Sequence, residues 1–337
     1  MITDLRSDTF TKPSPRMLDA MMKATVGDDV FGEDPSVNQL EAMSADMFGM
    51  EAGLFCPSGT MTNQVAIKCH TQPGDEVICE ATSHVYIYEG GGIAFNSGCQ
   101  VKALPGDRGR INAVQVAESI NPDDVHKART SLVSLENTAN RGGGSCYDLA
   151  EIQLIKDTCL KNNLKLHLDG ARLWNALVAK EESPKDYSVF DSISICLSKG
   201  LGAPVGSVLI GKKEFIQKAR RIRKVFGGGM RQAGYIASAG IYALENNISR
   251  LEQDHEHAKN IAATLLKKDF IGKMLSVETN ILIFEVTDTY TPATFTEFLK
   301  KHDILCIPIS STQVRMVTHL DVTAQMVIDL IKLIEAM

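Results

Sequence analysis

Lys199 is the residue of this chain whose surroundings most favour covalent chemistry. It follows an apolar run at residues 193–197 that predicts a buried strand, and it precedes a turn containing Gly200, Gly202 and Gly206. A lysine at a strand end can lose its charge by partial desolvation, and a neutral amine can attack a carbonyl to form a Schiff base. Many lysines beside such turns are solvated or structural, so this spacing alone leaves both interpretations open.

Asp169 and Arg172 follow a second predicted strand. Residues 164–168 alternate leucine with polar residues, which predicts a strand with one buried face and Asp169 at its carboxyl end. Open α/β sheets bind ligands outside the carboxyl ends of their strands. Asp169 is therefore a candidate ligand-binding residue.

Two further segments could contact a ligand. Ser58, Gly59 and Thr60 begin a predicted helix, where free backbone N–H groups at the positive end of the helix dipole can bind a phosphate. An ordinary N-cap is the alternative for this segment. His84 lies just beyond another strand end, so its ring could pack on a planar ligand, although a lone histidine more often makes structural hydrogen bonds.

The elements that must position these residues alternate along the chain. Strands and helices follow one another between residues 50 and 210, which predicts a parallel, doubly wound sheet. Residues 233–266 predict one long helical stretch between two units, and the strands and helices after residue 267 predict a compact second domain. Residues 1–13 predict a polar arm, with a frayed terminus as the alternative.

Three charged or titratable segments have ordinary interpretations. The acidic loop at residues 27–33 predicts a solvated connection. Residues 212–225 carry seven lysines and arginines, which favours a solvated helix face. The alternative is that the glycine hinge at residues 227–229, followed by Arg231, presents cations to an anion. His255 and His257 are two residues apart on a helix and diverge, so surface positions are expected and a metal site is not.

The composition excludes several classes of partner. The chain has 337 residues, of which 44% are hydrophobic and 23% are charged, and this is enough for one large domain and a smaller one. A net charge of −6 provides no basic surface for nucleic acid, and no basic cluster precedes an apolar helix that could bind a membrane. The charged first residues, and eight cysteines without a Cys-x-x-Cys pair, predict a cytoplasmic protein with reduced thiols.

Five motifs in order make this chain resemble the low-specificity threonine aldolases, which are pyridoxal-phosphate enzymes of the aspartate-aminotransferase fold. The motifs occupy residues 4–9 (Asp-Leu-Arg-Ser-Asp-Thr), 27–35 (Gly-Asp-Asp-Val-Phe-Gly-Glu-Asp-Pro), 168–172 (Leu-Asp-Gly-Ala-Arg), 196–204 (Cys-Leu-Ser-Lys-Gly-Leu-Gly-Ala-Pro) and 227–232 (Gly-Gly-Gly-Met-Arg-Gln). The resemblance continues beyond Arg315. It implies an α/β, fold type I protein: a large domain with a mostly parallel, doubly wound sheet, and a smaller C-terminal α/β domain.

The resemblance also implies domain boundaries and an assembly. Residues 1–13 would form an arm at the active site, residues 14–247 the large cofactor-binding domain and residues 248–337 the small domain. The protein would be a homo-oligomer, a dimer of dimers, in which neighbouring subunits share an active site.

By the same resemblance, nine residues would bind pyridoxal 5'-phosphate. Lys199 would carry the cofactor covalently, and Asp169 would keep its pyridine nitrogen protonated. Arg172 would face its phenolic oxygen, and His84 would stack on its ring. Ser58, Gly59 and Thr60 would bind the phosphate. Lys224 and Arg231 of a neighbouring subunit would complete the phosphate site.

The substrate implied by the resemblance is a small amino acid. Ser7 and Arg315 would hold its carboxylate, and this grip would select the bond at Cα that breaks. His84 and His126 would be the candidate bases or hydroxyl contacts, with a helix-end histidine as the alternative for His126. Alanine at position 139, where the family often has histidine, removes a polar group near the site and leaves the stereochemical preference open.

The implied reaction is retro-aldol cleavage of L-threonine, L-allo-threonine and related β-hydroxy-α-amino acids to glycine and an aldehyde. The chain would thus be a carbon-carbon lyase. β-Elimination from another amino acid on the same fold is the main alternative, and its products would differ. A catalytically silent binding protein and a metal-dependent aldolase are further alternatives, and no histidine and carboxylate spacing in the sequence supports the latter.

Overall fold

The computed structural model describes residues 2–337. The strands are β1 (Thr3–Asp4), β2 (Ala52–Cys56), β3 (Glu76–Glu80), β4 (Gln100–Leu104), β5 (Thr130–Glu136), β6 (Lys165–Gly170), β7 (Ser192–Cys196), β8 (Ser207–Gly211), β9 (Ile271–Met274), β10 (Ile281–Val286), β11 (Ile304–Leu305), β12 (Ile307–Pro308) and β13 (Gln313–Val317). The helices are α1 (Pro15–Met22), α2 (Pro35–Met47), α3 (Gly59–His70), α4 (His84–Ile87), α5 (Ala113–Ser119), α6 (Leu149–Lys161), α7 (Leu173–Lys180), α8 (Lys213–Val225), α9 (Gly234–Asn246), α10 (Leu251–Leu265), α11 (Pro292–Lys300) and α12 (Ala324–Ala336). Three short 3-10 helices cover Asp8–Phe10, Asp29–Phe31 and Pro184–Val189, and Ile93–Ser97 form a π-helix.

A seven-stranded sheet with the order β2-β8-β7-β6-β5-β3-β4 forms the centre of the molecule. Neighbours from β7 to β4 are parallel, whereas β8 is antiparallel to both β7 and β2. The turn from β7 to β8 is too short for a crossover helix, which explains the reversal of β8. The predicted α/β class with a mostly parallel sheet is confirmed.

The sheet brings the candidate residues to one edge. Glu136 at the end of β5 is in register with Asp169 near the end of β6, and Lys199 follows β7. Since β2 and β7 are each antiparallel to β8, they run in the same direction, and Ser58 follows β2 at this same edge.

The C-terminal part has its own sheet and core. Strands β12-β13-β10-β9 form an antiparallel sheet, and a second hydrophobic cluster packs α10, α11 and α12 against it. The N-terminal arm joins this part, because β1 pairs in parallel with β11 and Leu5 is buried in the second cluster. Within residues 2–337, no helix is both long and apolar enough to cross a membrane.

The predicted long helix over residues 233–266 is wrong. Two helices, α9 and α10, are separated by a break in which the Asn247 side chain donates to the carbonyl of Leu201 at 2.8 Å. The predicted domain boundary between residues 247 and 248 lies at this break, and the boundaries remain predictions. His255 and His257 on α10 are buried, not at the surface, because α10 packs between α7 and α12.

The acidic loop at residues 27–33 is more than a solvated connection, because one of its aspartates anchors it to the core. Asp29 is fully buried and accepts from Arg223 at 2.6 Å and from Arg220 at 3.3 Å. Arg223 also donates to the carbonyl of Phe55 at 2.5 Å. One face of the basic helix α8 is therefore held against the core by ion pairs.

Candidate active site

A cavity of about 450 Å³ lies at the sheet edge. Residues from the N-terminal arm, the central sheet and the C-terminal part line it together, which explains why no continuous motif describes it. Its lining residues are Ser7, Thr9, His84, Tyr88, Glu136, Asn140, Arg141, Ala171, Arg172, Lys199, Ile307, Ile309 and Arg315. Five predicted site residues are among them, namely Ser7, His84, Arg172, Lys199 and Arg315.

Asp169 has a carboxylate oxygen without a partner. The side chain is 2% exposed, and its Oδ1 accepts from the backbone N–H of Ala171 at 3.1 Å. Its Oδ2 is buried and has no hydrogen-bond partner among the described residues. A buried unpaired oxygen is costly, so this oxygen suits a hydrogen-bond donor on a ligand. A protonated ring nitrogen fits this position.

The start of α3 carries a second unpaired polar atom. Ser58 caps the helix by accepting from the backbone N–H of Met61 at 3.1 Å, as an ordinary N-cap does. However, the Ser207 hydroxyl is buried without a partner among residues 2–337, and it lies 3.4 Å from the point where a side chain on Gly59 would begin. A helix N-terminus with an additional free hydroxyl fits a phosphate group.

His84 is held from two sides. Its backbone N–H donates to Glu136 at 2.7 Å, and its ring Nδ1 lies 3.1 Å from Glu89. Burial lowers the pKa of His84, but the hydrogen bond to Glu89 and the nearby charges of Asp169 and Glu89 outweigh it, so the pKa is raised. Neither glutamate stands in a recognisable spacing to His84, so that spacing gave no signal for these contacts.

Glu136 connects two loops of the site. Its two oxygens accept from the backbone N–H groups of His84 and Asn140, at 2.7 and 2.8 Å. Desolvation, followed by the charge of Asp169, raises the pKa of Glu136 to about 7. Its position in the Glu-Asn-Thr segment at residues 136–138 was the only sequence signal for it.

Arg172 forms a buried ion pair with the N-terminal arm. Its Nε and Nη2 both donate to Asp8 at 2.7 Å, and neither side chain is more than 5% exposed. Burial raises the pKa of Asp8, but the charge and hydrogen bonds of Arg172 outweigh this effect and lower the pKa to about 2. The pair joins the arm to the central sheet, and the sequence analysis missed Asp8.

Asp8→Asn is expected to lower the free energy of unfolding by about 3–5 kcal/mol, because it leaves a buried guanidinium without its counter-charge. The native pKa of Asp8 lies below the unfolded value of about 4, so the wild-type pair stabilises the fold above that pH and loses its effect as pH falls towards 2. Urea denaturation at neutral and acidic pH measures both effects. The matched control is Asp4→Asn on the same arm, whose partly exposed pair with Arg6 contributes about 1 kcal/mol or less. Equal losses for the two variants would contradict the assignment.

Arg315 is a half-buried cation that makes no ion pair with a carboxylate among the described residues. Its Nη1 donates to the Asn140 side chain at 2.9 Å and its Nη2 donates to the carbonyl of Arg6 at 3.0 Å. Its Nε is buried without a partner in residues 2–337. Burial and the charge of Arg172 lower its pKa to about 10, so it stays protonated at neutral pH. A positioned, unpaired guanidinium in a cavity suits a carboxylate ligand.

Of the twelve predicted site residues, three lie neither in this cavity nor with Asp169 and Ser58–Thr60 at the sheet edge beside it. His126 is on an exposed segment, where its ring lies 2.8 Å from Asp124. Lys224 lines a separate basic cavity of about 960 Å³ along α8. Arg231 donates to Asp28 at 3.0 Å and is half exposed.

Ala139 does not leave a gap in the cavity. It is 3% exposed, and its Cβ lies 2.5 Å from the point where a side chain on Gly109 would begin. The residue therefore packs against the backbone of Gly109, and its neighbours Asn140 and Arg141 line the cavity.

His84, Glu89 and Asp169 also bring their ligand atoms within 4.8 Å of one another, which their sequence spacing did not suggest. Glu89 is already engaged, since it accepts from Asn63 at 2.9 Å and from Gln64 at 2.6 Å in addition to facing His84. This arrangement is typical of a carboxylate that orients a histidine.

The chain is similar to known proteins along most of its length. The family model described as Beta-eliminating lyase matches residues 4–289. The Low specificity L-threonine aldolase of Escherichia coli (strain K12) is 44% identical over 324 residues, which are 96% of this chain and 95% of that protein.

Solved structures share the fold. The threonine aldolase of Leishmania major superposes with a TM-score of 0.86 at 20% identity, covering 99% of both chains. A structure of SPT described as containing PLP superposes with a TM-score of 0.75 at 15% identity, covering 99% of this chain and 87% of that one. From its matched length, its sequence identity and the residues assembled at the sheet edge, the chain belongs to the beta-eliminating lyase family and, within it, to the low-specificity L-threonine aldolases.

Proposed function

We propose that this protein is a pyridoxal-phosphate-dependent aldolase that cleaves L-threonine, L-allo-threonine and related β-hydroxy-α-amino acids to glycine and an aldehyde. The observation that carries the proposal is the buried, unpartnered Asp169 oxygen at the same sheet edge as Lys199. This pair of groups suits a cofactor that has a ring nitrogen on one side and an aldehyde carbon on the other.

Residues with free polar atoms support the cofactor assignment. Lys199 would hold the cofactor covalently, Asp169 would pair with its ring nitrogen, His84 would stack on its ring and Arg172 would face its phenolic oxygen. Its phosphate would bind at Ser58, Gly59 and Thr60, with the unpartnered Ser207 hydroxyl as an additional donor. When bound, pyridoxal phosphate accepts the electron pair that remains on Cα after the carbon-carbon bond breaks.

The substrate carboxylate would bind between Arg315 and Ser7. Arg315 is already oriented by Asn140 and by the carbonyl of Arg6, so little conformational freedom is lost when the substrate binds. Holding the carboxylate fixes the rotation about Cα and thus sets which of its bonds is aligned for cleavage. Ile307, Ile309 and Tyr88 line the same cavity and could contact the side chain of the substrate.

His84 is the favoured base for the β-hydroxyl proton. It lines the cavity, and the hydrogen bond to Glu89 and the nearby negative charges raise its pKa, which makes the ring a stronger proton acceptor. His126 is the second candidate, and its exposed position in this chain favours it less. β-Elimination, the alternative reaction, is not favoured by the relatives of this chain, which are named as aldolases.

Arg315→Lys is expected to raise the KM for L-threonine by about 10–100-fold, because lysine cannot form the planar, two-pronged contact with a carboxylate. The kcat should fall as well, since a loosely held Cα no longer aligns the breaking bond. Steady-state assays of acetaldehyde release measure both constants. Arg110→Lys, on a partly exposed arginine outside the cavity, is the matched control. An unchanged KM would exclude Arg315 as the carboxylate contact.

A homo-oligomer with shared active sites completes the proposal. Lys224 and Arg231 line surfaces away from the cavity, and the exposed apolar side chains of Phe31 and Val225 lie on the same segments. These features support an arrangement in which one subunit supplies cations to the phosphate site of its neighbour, and a tetramer built as a dimer of dimers.

Mixing two inactive variants tests the shared site. In the proposed arrangement, each active site takes Lys199 from one subunit and Arg231 from its neighbour. A mixed dimer of one Lys199→Ala subunit and one Arg231→Ala subunit then contains one intact site and one site that lacks both residues. Unfolding and refolding the mixture should then restore up to about one quarter of wild-type activity by statistical pairing. No recovery from a mixture shown by mass spectrometry to contain mixed oligomers would contradict the shared site.

A cytoplasmic location is also proposed. All eight cysteines are free and buried, which is typical of a protein in a reducing compartment.

The proposed function is tested directly by incubating the purified protein and pyridoxal phosphate with L-threonine or L-allo-threonine. Acetaldehyde release with both diastereomers is expected, together with a visible absorbance band from the bound cofactor. Cofactor binding without acetaldehyde would contradict the aldolase assignment.

A further inference from the structure

A continuous chain of buried polar side chains extends from the active-site histidine through the protein interior. It starts at His84, whose Nδ1 lies 3.1 Å from Glu89 Oε1. The same oxygen accepts from Asn63 at 2.9 Å, and the Asn63 Oδ1 lies 3.1 Å from Nε2 of His167. The hydroxyl of Ser192 lies 2.8 Å from Nδ1 of His167, and it also lies 2.8 Å from Nε2 of His70.

Every donor in this chain is oriented towards Glu89. Burial lowers the pKa of His167 to about 4 and that of His70 to about 3, so both rings are neutral at neutral pH and each carries one N–H. His167 must donate to the Asn63 carbonyl oxygen, because the amide group of Asn63 is used towards Glu89.

The same reasoning assigns the donors and acceptors at the His70 end of the hydrogen-bonded chain. The Nδ1 of neutral His167 then accepts from the Ser192 hydroxyl, and Ser192 accepts from His70. A row of aligned donors polarises each successive hydrogen bond.

Glu89, at one end of this hydrogen-bonded chain, determines which ring nitrogen of His84 carries a proton. An ionised carboxylate only accepts hydrogen bonds, so Nδ1 of His84 carries a proton. Nε2 has no hydrogen-bond partner within residues 2–337, and His84 lines the cavity. In the neutral ring, Nε2 is therefore the free acceptor.

We propose that the chain His70, Ser192, His167, Asn63 and Glu89 positions His84 with Nδ1 protonated and Nε2 presented to the β-hydroxyl of the substrate. Glu89 is a positioning residue that acts through His84. The catalytic part of this inference rests on the proposed aldolase function, whereas the protonation pattern of His84 does not.

Other charged groups also face His84 and must be considered in any titration. Glu136 bonds its backbone from the end of β5, Asp169 faces it from β6 and Lys199 faces it from the turn after β7. Tyr88 packs near its ring, with centroids 5.7 Å apart. A variant of Glu89 or Asn63 leaves all of these groups unchanged.

Nitrogen-15 NMR of the histidine rings in the full-length protein tests the proposal. The spectra are recorded without substrate, both with and without pyridoxal phosphate. The His84 signals are assigned by their loss in His84→Gln. The expected wild-type spectrum at neutral to alkaline pH has a protonated Nδ1 and an unprotonated Nε2. Because no turnover is needed, this result is independent of the proposed reaction.

Two variants should shift the pKa of His84 in opposite directions. Glu89→Gln removes the charge and is expected to lower this pKa by about one unit. Asn63→Leu removes a donor to Glu89, makes the carboxylate more basic and is expected to raise the same pKa. His255→Gln is the matched control, because it alters a buried histidine that bonds to Asn175 and lies outside the chain. A general loss of stability would not produce opposite shifts.

Kinetics provide the second measurement. Glu89→Gln is expected to reduce kcat by about 100-fold, with a KM within about threefold of wild type. Without the Glu89 carboxylate, the His84 ring is no longer held in the orientation that presents Nε2 to the substrate. Three results would overturn the proposal: an Nε2-protonated His84 in the wild type, a His84 spectrum unaffected by Glu89→Gln, or shifts of the same sign in the two variants.

Discussion

Lys199→Ala is expected to reduce acetaldehyde formation from L-threonine by at least about 10,000-fold, the scale on which loss of a covalent catalyst acts. Lys199 is the lysine that lines the 450 Å³ cavity, and it lies at the sheet edge shared with Asp169. Without the Lys199 amine, the protein would have no group at this position to hold pyridoxal phosphate covalently. Continuous assays of acetaldehyde, with pyridoxal phosphate in excess, measure the loss.

Lys102→Ala is the control for this prediction, because Lys102 is an exposed lysine on the edge strand β4. It should retain wild-type activity. If Lys199→Ala kept more than about one hundredth of wild-type activity, covalent catalysis by this lysine would be wrong.

Asp169→Asn is expected to reduce kcat by at least about 1000-fold while the protein still binds the cofactor. The amide keeps the size of the side chain and can keep the hydrogen bond from the backbone N–H of Ala171, which is 3.1 Å from Oδ1. It cannot hold a positive charge on the ring nitrogen, so the ring becomes a poorer electron acceptor. Absorbance titration with pyridoxal phosphate separates lost binding from lost chemistry.

Asp191→Asn provides the matched control for Asp169. Asp191 precedes β7, at the opposite end of the strand from Lys199, and pairs with Lys156 at 2.8 Å. Its substitution should lower stability and leave kcat near the wild-type value. Comparable losses of kcat in both variants would indicate a general effect of removing sheet-edge carboxylates.

The strands and their terminal residues could be predicted because their signals are local. Residues 193–197 and 164–168 have buried-strand patterns, and the parallel order of the sheet then brings Asp169 and Lys199 to one edge. The helix start at Ser58 was likewise visible from its small residues. Each of these predictions depends on fewer than about 15 neighbouring residues.

The contacts that complete the site could not be predicted, because they join distant parts of the chain. Asp8 meets Arg172 across 164 residues, and the backbone of His84 meets Glu136 across 52. His255 was predicted at the surface from the geometry of one helix, but α10 contacts both α7 and α12, and His255 lies on the covered part of its surface. Burial of this kind depends on packing partners that helix periodicity does not reveal.

The identity of the products formed from L-threonine tests the central claim most directly. Purified protein with pyridoxal phosphate is incubated with carbon-13-labelled L-threonine, and the products are identified by NMR. Equal amounts of glycine and acetaldehyde are predicted, since cleavage of the bond between Cα and Cβ releases one of each. Formation of 2-oxobutanoate and ammonia, without glycine, would contradict the aldolase assignment and establish elimination instead.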